Sequence, residues 1–347
     1  MNKKQWKSVL VGIATLVLLS LLIFWVFRDH YQEITRNIRA VRPGDLLLLL
    51  GMGVIYQIFE SAVCYVLVKS QLSSFSFWQA VEVTFLGVFG NVSTLSAGTV
   101  PMQSYYLHRH GLMTGNGIGT MTLEYVFHKS SVLLYATAML ILRGRWLCSA
   151  GPGLSRYLLL GYLICTLIIT ALILLCTWGK VQQLACWGIS LLPDTEKWKP
   201  RKQLWKTNLN ALYTQSQRLL RDRKCLGKVI ALDAMKLCCL YGIPFFCIKA
   251  LGVPGPDFWQ VQLLTAMMHL ISNALPNVAG VGPVEFAFML IFSHYIQYAQ
   301  ASSALILYRV STFFFPFILS IFVFLTVQKR ALRHMPAEKE LSDEEIQ

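Results

Sequence analysis

Six hydrophobic runs long enough to cross a bilayer, at 8–27, 45–68, 118–142, 157–177, 229–250 and 303–327, leave few folds open to this chain. A backbone in lipid must satisfy its own hydrogen bonds, so such runs read as membrane helices. Two further apolar stretches, 79–106 and 258–293, are broken by glycine and proline. They read almost as copies of one device. The first contains Asn91, Ala97, Gly98, Pro101 and Gln103; the second contains Asn273, Ala279, Gly280, Pro283 and Glu285 at the same offsets. Interrupted hydrophobic segments at corresponding positions of two halves mark a transporter's substrate path. The fold class expected is an all-α integral membrane protein with about six transmembrane helices and two re-entrant or broken helices in inverted repeat.

The charge pattern orients this arrangement. A net charge of +14 would suit nucleic acid, but here the basic residues sit in loops beside the spans, so no nucleic-acid partner is expected. With the N-terminus inside, the segments expected to be cytoplasmic carry 20 Lys and Arg, and those expected outside carry 7. That asymmetry places both termini in the cytoplasm. Residues 1–27, opening on Lys3, Lys4 and Lys7, read as an uncleaved signal-anchor helix, followed by an interfacial segment at 28–44. The first repeat covers 45–142, a linker span and basic segment cover 143–228, the second repeat covers 229–327, and a disordered tail is expected at 328–347. Within the linker, 197–225 sets Trp198, Trp205, Leu212 and Leu220 at helical spacing among nine Lys and Arg. It reads as a cationic helix lying on anionic lipid, or as a solvated basic loop.

Charged groups inside spans are expensive, about 2.5–3.5 kcal/mol each on insertion scales, and so point to function. Glu124 and His128 are four apart and share a helix face, next to Lys129. Arg309, beside Tyr308, lies in the last span, where it can serve as counter-ion to Glu285 or Glu124, or as a phosphate contact suited to its planar fork. Asp233, Lys236 and Lys249 sit near the expected span ends, where snorkelling to water is the simpler account. Glu60, Glu82 and His269 are ambiguous.

At Gly280-Val281-Gly282-Pro283 a regular helix cannot continue through the proline. A half-helix is expected to start near Pro283 with Glu285 in its first turn, and another near Pro101. Their positive ends, meeting near mid-membrane, would favour a phosphate, with Glu285 capping one of them when no ligand is bound. The alternative is that these glycines serve hinges and packing. No hydrolase elbow, nucleotide loop or zinc-helix motif occurs, and the nine cysteines lie at no metal-ligand spacing. No catalytic residue, metal or cofactor is expected.

The stretch Ala97–Leu107, with Tyr105, followed by Leu123–Lys129, resembles the first-half signature of the lysylphosphatidylglycerol synthase transmembrane region, the flippase-like part of the bacterial multiple peptide resistance factor. Leu275–Glu285 and Leu307–Phe313 resemble its Pro-x-x-Gly-Gly-x-Gly-x-x-Glu and Tyr-Arg signatures. Two departures stand out: Gly98-Thr99-Val100-Pro101 where many members have Gly-Gly-Gln-Pro, and Pro276-Asn277-Val278-Ala279-Gly280 where they have Pro-x-Pro-Gly-Gly. The resemblance implies a bacterial inner-membrane lipid translocase whose substrate differs from that of the best-known member. Full-length members add a soluble domain that transfers an aminoacyl group from tRNA to phosphatidylglycerol. These 347 residues hold no such stretch, so lysyltransferase chemistry is not expected of them.

Together these readings predict a flippase for a phospholipid or lipid-linked head group, anionic or aminoacylated. Its polar cleft would be built from Arg309, Glu285, Glu124, Lys129, His128, Gln103, Tyr105 and Tyr308, with the helix breaks at Gly98, Pro101, Gly280, Gly282 and Pro283. In the empty state, Glu124 and Glu285 would pair with Arg309 and Lys129. Two other classes stay open: a lipid-modifying enzyme using Glu124, His128 and Glu285, and a non-catalytic partner docking a synthase through 197–225. A homo-oligomer is equally compatible with the sequence.

Overall fold

A computed structural model describes residues 31–150, 152–192, 198–275 and 281–333, and every regular element among them is a helix. The expected signal anchor, Gly280 and the tail beyond Arg333 lie outside the described residues. In chain order the helices are α1 (Tyr31–Arg39), α2 (Pro43–Lys69), α3 (Phe77–Ser93), α4 (Thr99–Arg109), α5 (Thr114–Ala150), α6 (Pro152–Thr177), α7 (Gly179–Ser190) and α8 (Lys199–Arg221). Then follow α9 (Arg223–Ala250), α10 (Phe258–Ala274), α11 (Pro283–Phe292), α12 (Tyr298–Arg309), a π turn at Val310–Phe314, and α13 (Phe315–Arg333).

Five of the described helical stretches are long and apolar enough to cross a membrane. The outer face of α6 leaves Leu163 63% and Leu167 73% exposed, a surface that lipid, not water, covers. The broken segments form two shorter helices each, with breaks at 94–98 and 275–282. At 17 and 11 residues in the first repeat and 17 and 10 in the second, each falls short of the ~20 needed to span.

The two halves match element by element. Helices of 27, 17, 11 and 37 residues in the first half face helices of 28, 17 and 10 in the second, which closes with α12, the π turn and α13. A small repeat opens each 17-residue helix. Ser76-Phe77-Trp78-Gln79 and Asp257-Phe258-Trp259-Gln260 both form a capping box, the first residue's side chain accepting from the Gln N–H and the Gln side chain accepting in return.

Packing repeats the same correspondence. Helices α2 and α9, which open the two repeats, lie along each other; α3 packs on α13, and α10 packs on α5. The first helix of each short pair thus rests against the other half's closing helix. Three candidate spans, α2, α5 and α6, precede α9, an odd number, so with both short pairs re-entrant the second repeat is expected to enter the membrane from the face opposite the first.

The peripheral pieces differ from expectation. Helix α1 is not simply interfacial: Ile34 is buried and Asn37 Nδ2 donates to Ser303 Oγ at 3.2 Å, tying it to α12. Helix α8 turns Leu212 and Leu219 into a core shared with Val63, Leu67 and Val126, so that side meets protein rather than lipid. Trp205 remains 42% exposed, with Trp198 against it. The last span runs from Tyr298 to Arg333, longer than 303–327, and carries the π turn at mid-length. The first residues of the expected tail, 328–333, complete α13.

Candidate functional site at the second helix break

Helix α11 starts at Pro283, whose fixed φ suits a first helical turn. Gly282 before it has φ +104°, a conformation that favours glycine. Glu285, one turn in, bends back so that its Oε2 accepts the Gly282 N–H at 2.7 Å. Its other oxygen, Oε1, lies 2.6 Å from Arg309 Nη2. Arg309 is 6% exposed, at the junction of α12 and the π turn, and its guanidinium also stands 5.4 Å from the Phe313 ring centroid. A charge-assisted pair therefore closes the positive end of a half-helix inside the membrane.

Around this pair the structure gathers part of the expected site. Tyr308 OH and His269 Nε2 are 2.8 Å apart, and His269 stacks on Tyr241. His269 is within electrostatic reach of Arg309, Lys129 and His128, joining α10, α12 and α5. Lys129 donates to Asn273 Oδ1, near the second break, and stands 5.0 Å over the Tyr125 ring. Its partner is therefore an amide and not Glu124 or Glu285, as expected from the sequence. Glu124, too, meets neither Arg309 nor Lys129; it lies with Glu60, Asp233 and Lys236.

The first break is built differently. Gly98 precedes α4, and Pro101 lies in its first turn. A side chain at Gly98 would strike Thr94, so this glycine serves packing between the break and α3. Gln103, the counterpart of Glu285, lies over Gly87, where a Cβ would come within 2.6 Å of its Nε2. Tyr105 is 63% exposed and lines a separate cavity of about 370 Å³ with Glu82, Arg109 and Arg330. The two half-helices pack on different neighbours, α4 on α3 and α5, and α11 on α10 and α12. Phe313 touches both Val281 and the core beneath the first break. The expected meeting of two helix ends is thus replaced by one charged end and one neutral, glycine-packed one.

Residues that sequence reasoning set aside complete the polar interior. Lys236 and Asp233, expected to snorkel, are each 1% exposed and paired with each other; Lys236 Nζ also lies 2.7 Å from Glu60 Oε2. Helix α9 begins at Arg223, not 229, which sets Asp233 about 15 Å along it at 1.5 Å per residue. The i,i+3 spacing of Asp233 and Lys236 was the available signal.

Residues 9–320 match the family model for the lysylphosphatidylglycerol synthase TM region. The chain belongs to that family. As a member of the lysylphosphatidylglycerol synthase TM family it is a membrane protein associated with membrane lipids, related to their modification or translocation. No curated protein matches the chain. Both signature stretches fall inside the matched region: the first break with α4 and Glu124 to Lys129, and the second break with Glu285, Tyr308 and Arg309.

Proposed function

We propose that this protein is a translocase that moves a phospholipid or lipid-linked head group across the bacterial inner membrane, with both termini cytoplasmic. The head group enters between the two repeats while its tails stay in the bilayer. The observation that carries this reading is the Glu285–Arg309 pair, 2.6 Å apart at the start of a half-helix within the membrane. A phosphate would take the place of the Glu285 carboxylate, receiving the Arg309 fork and the N–H groups of the first turn of α11. Tyr308 and Lys129 line the approach, and Lys129 favours a head group of net negative charge. Glu285, once displaced, can meet an amino group on the same lipid.

The test is transbilayer movement of labelled phospholipids in proteoliposomes containing the purified chain. Arg309→Ala removes one charge-assisted contact of about 1.5–3 kcal/mol and is expected to slow movement roughly tenfold or more. Glu285→Gln, which keeps the cap but loses the counter-charge, is expected to alter the preference between anionic and aminoacylated head groups. Unchanged movement in both variants, at equal protein in the membrane, sinks the proposal.

A further inference from the structure

Away from the Arg309 pair, five ionisable side chains from three helices form one cluster, with Glu124, Asp233 and Lys236 buried and Glu60 and His128 about a quarter exposed. Glu60 comes from α2, Glu124 and His128 from α5, and Asp233 and Lys236 from α9. Lys236 bridges Asp233 and Glu60. His128 Nδ1 stands 4.0 Å from Asp233 Oδ1, too far for a hydrogen bond. Glu124 is 8% exposed and has no hydrogen bond or ion pair of its own among the described residues. The charges that act on it are those of Glu60, Lys236 and Asp233. Tyr56 and Cys64 of α2 are its remaining titratable neighbours, and His269 of α10 faces His128.

The charge does not balance. Three carboxylates against one ammonium leave two negative charges uncompensated whenever every acid is ionised and His128 is neutral. An uncompensated charge in a membrane interior is strongly disfavoured. A proton held on one of the carboxyls would remove one of these charges. Position gives the cluster its use: the Lys236–Glu60 bridge joins α9 to α2, the opening helices of the two repeats.

We infer that this cluster is a proton-binding site in which the Glu124 carboxyl holds an exchangeable proton and the Lys236–Glu60 bridge is the contact that proton controls. A proton arriving from one aqueous face neutralises Glu124. Passed on to Glu60, it leaves Lys236 paired with Asp233 alone and breaks the charged bridge between α2 and α9. Loss of the proton to the other face re-forms the bridge. That this cycle drives lipid movement rests on the translocase reading; proton binding itself does not.

Infrared titration of the purified full chain tests the site directly. The expected result is a protonated-carboxyl stretching band at neutral pH that fades as pH rises. It should be lost in Glu124→Gln and retained in Glu82→Gln, whose carboxylate pairs with Arg330 elsewhere. A wild-type chain without a titrating acid band overturns the site, and a band unchanged in Glu124→Gln overturns the assignment to Glu124. Glu60→Gln gives a second variant should Glu124→Gln fail to fold. A pH gradient across proteoliposomes with a trapped pH dye then tests coupling. Faster lipid movement along the gradient, accompanied by proton flux and lost in Glu124→Gln, upholds it, and movement indifferent to the gradient overturns it. If no lipid moves under any condition while the band still titrates, the translocase reading fails and the proton site stands.

Discussion

Lys236 shows how much a single buried charge can organise. Its Nζ holds both Asp233 and Glu60, and all but 1% of its surface is covered. Removing one partner of a buried pair leaves the others without compensation, which costs about 3–5 kcal/mol. Lys236→Met is therefore expected to lower the thermal stability of the detergent-solubilised chain sharply. The triple variant Lys236→Met, Glu60→Gln, Asp233→Asn should recover most of that loss, and thermal unfolding of the two side by side decides it. If both lose equally, the cost lies in lost packing and not in stranded charge. The sequence hid this residue for a physical reason. Arg223, Lys224 and Lys228 make the start of α9 read as a cytoplasmic loop, so the apparent span began late and Lys236 seemed close to water. Arg309 was easier to single out, because no other Asp, Glu, Lys or Arg occurs in the run 303–327.

Two helices owe their shape to single glycines. The π turn after Arg309 brings its Ser311 carbonyl so close to α2 that a Cβ at Gly53 would lie 2.1 Å from that oxygen. Ser311 Oγ donates to Leu49 O at the same crossing. Gly53→Ala must push α2 off the turn that positions Arg309, an overpacking cost of about 1–3 kcal/mol. Gly51, two residues earlier in the same helix, has open space around it, so Gly51→Ala is expected to leave the unfolding midpoint unmoved. Equal behaviour of the two variants would refute the close approach. At the second break the demand is conformational: Gly282 at φ +104° would strain any side chain by about 1–2 kcal/mol. Gly282→Ala should weaken the start of α11, read as faster hydrogen exchange at its first turn relative to α10. The positions of both half-helices were legible from Pro101 and Pro283 alone, since proline both stops one helix and starts the next. The π turn was legible only in part: Pro316 has no N–H to donate to the Thr312 carbonyl and crowds it, which interrupts the helical ladder within Val310–Phe314, while the fit of Ser311 against the distant Gly53 has no local signature.

At the scale of the whole molecule, two matched halves exchange their short helices, α3 resting on α13 and α10 on α5. The two copies of the break device and of Phe-Trp-Gln mark the duplication in the sequence, whereas the exchange depends on contacts between distant residues and has no local signature. Three candidate spans, α2, α5 and α6, precede α9, an odd number that would invert the second copy, so the turn from α2 to α3 and the turn from α9 to α10 are expected on opposite faces. The excess of 20 Lys and Arg over 7 predicts a cytoplasmic first turn. Ser74 and Pro254 are exposed in those turns and suit a direct check. With the native cysteines replaced, Ser74→Cys should react with a membrane-impermeant maleimide only in inside-out vesicles, and Pro254→Cys only in right-side-out ones. Labelling of both from one face would remove the inversion, and with it the reason to expect a site open alternately to each side. Labelling on opposite faces but in the reverse sense would keep the inverted repeat and turn the molecule over, placing Arg109 and Arg330 at the outer surface and the second break towards the cytoplasm. Only the orientation in which the basic helix α8 faces the cytoplasm agrees with the charge asymmetry, because its nine flanking cations would otherwise have to cross the membrane.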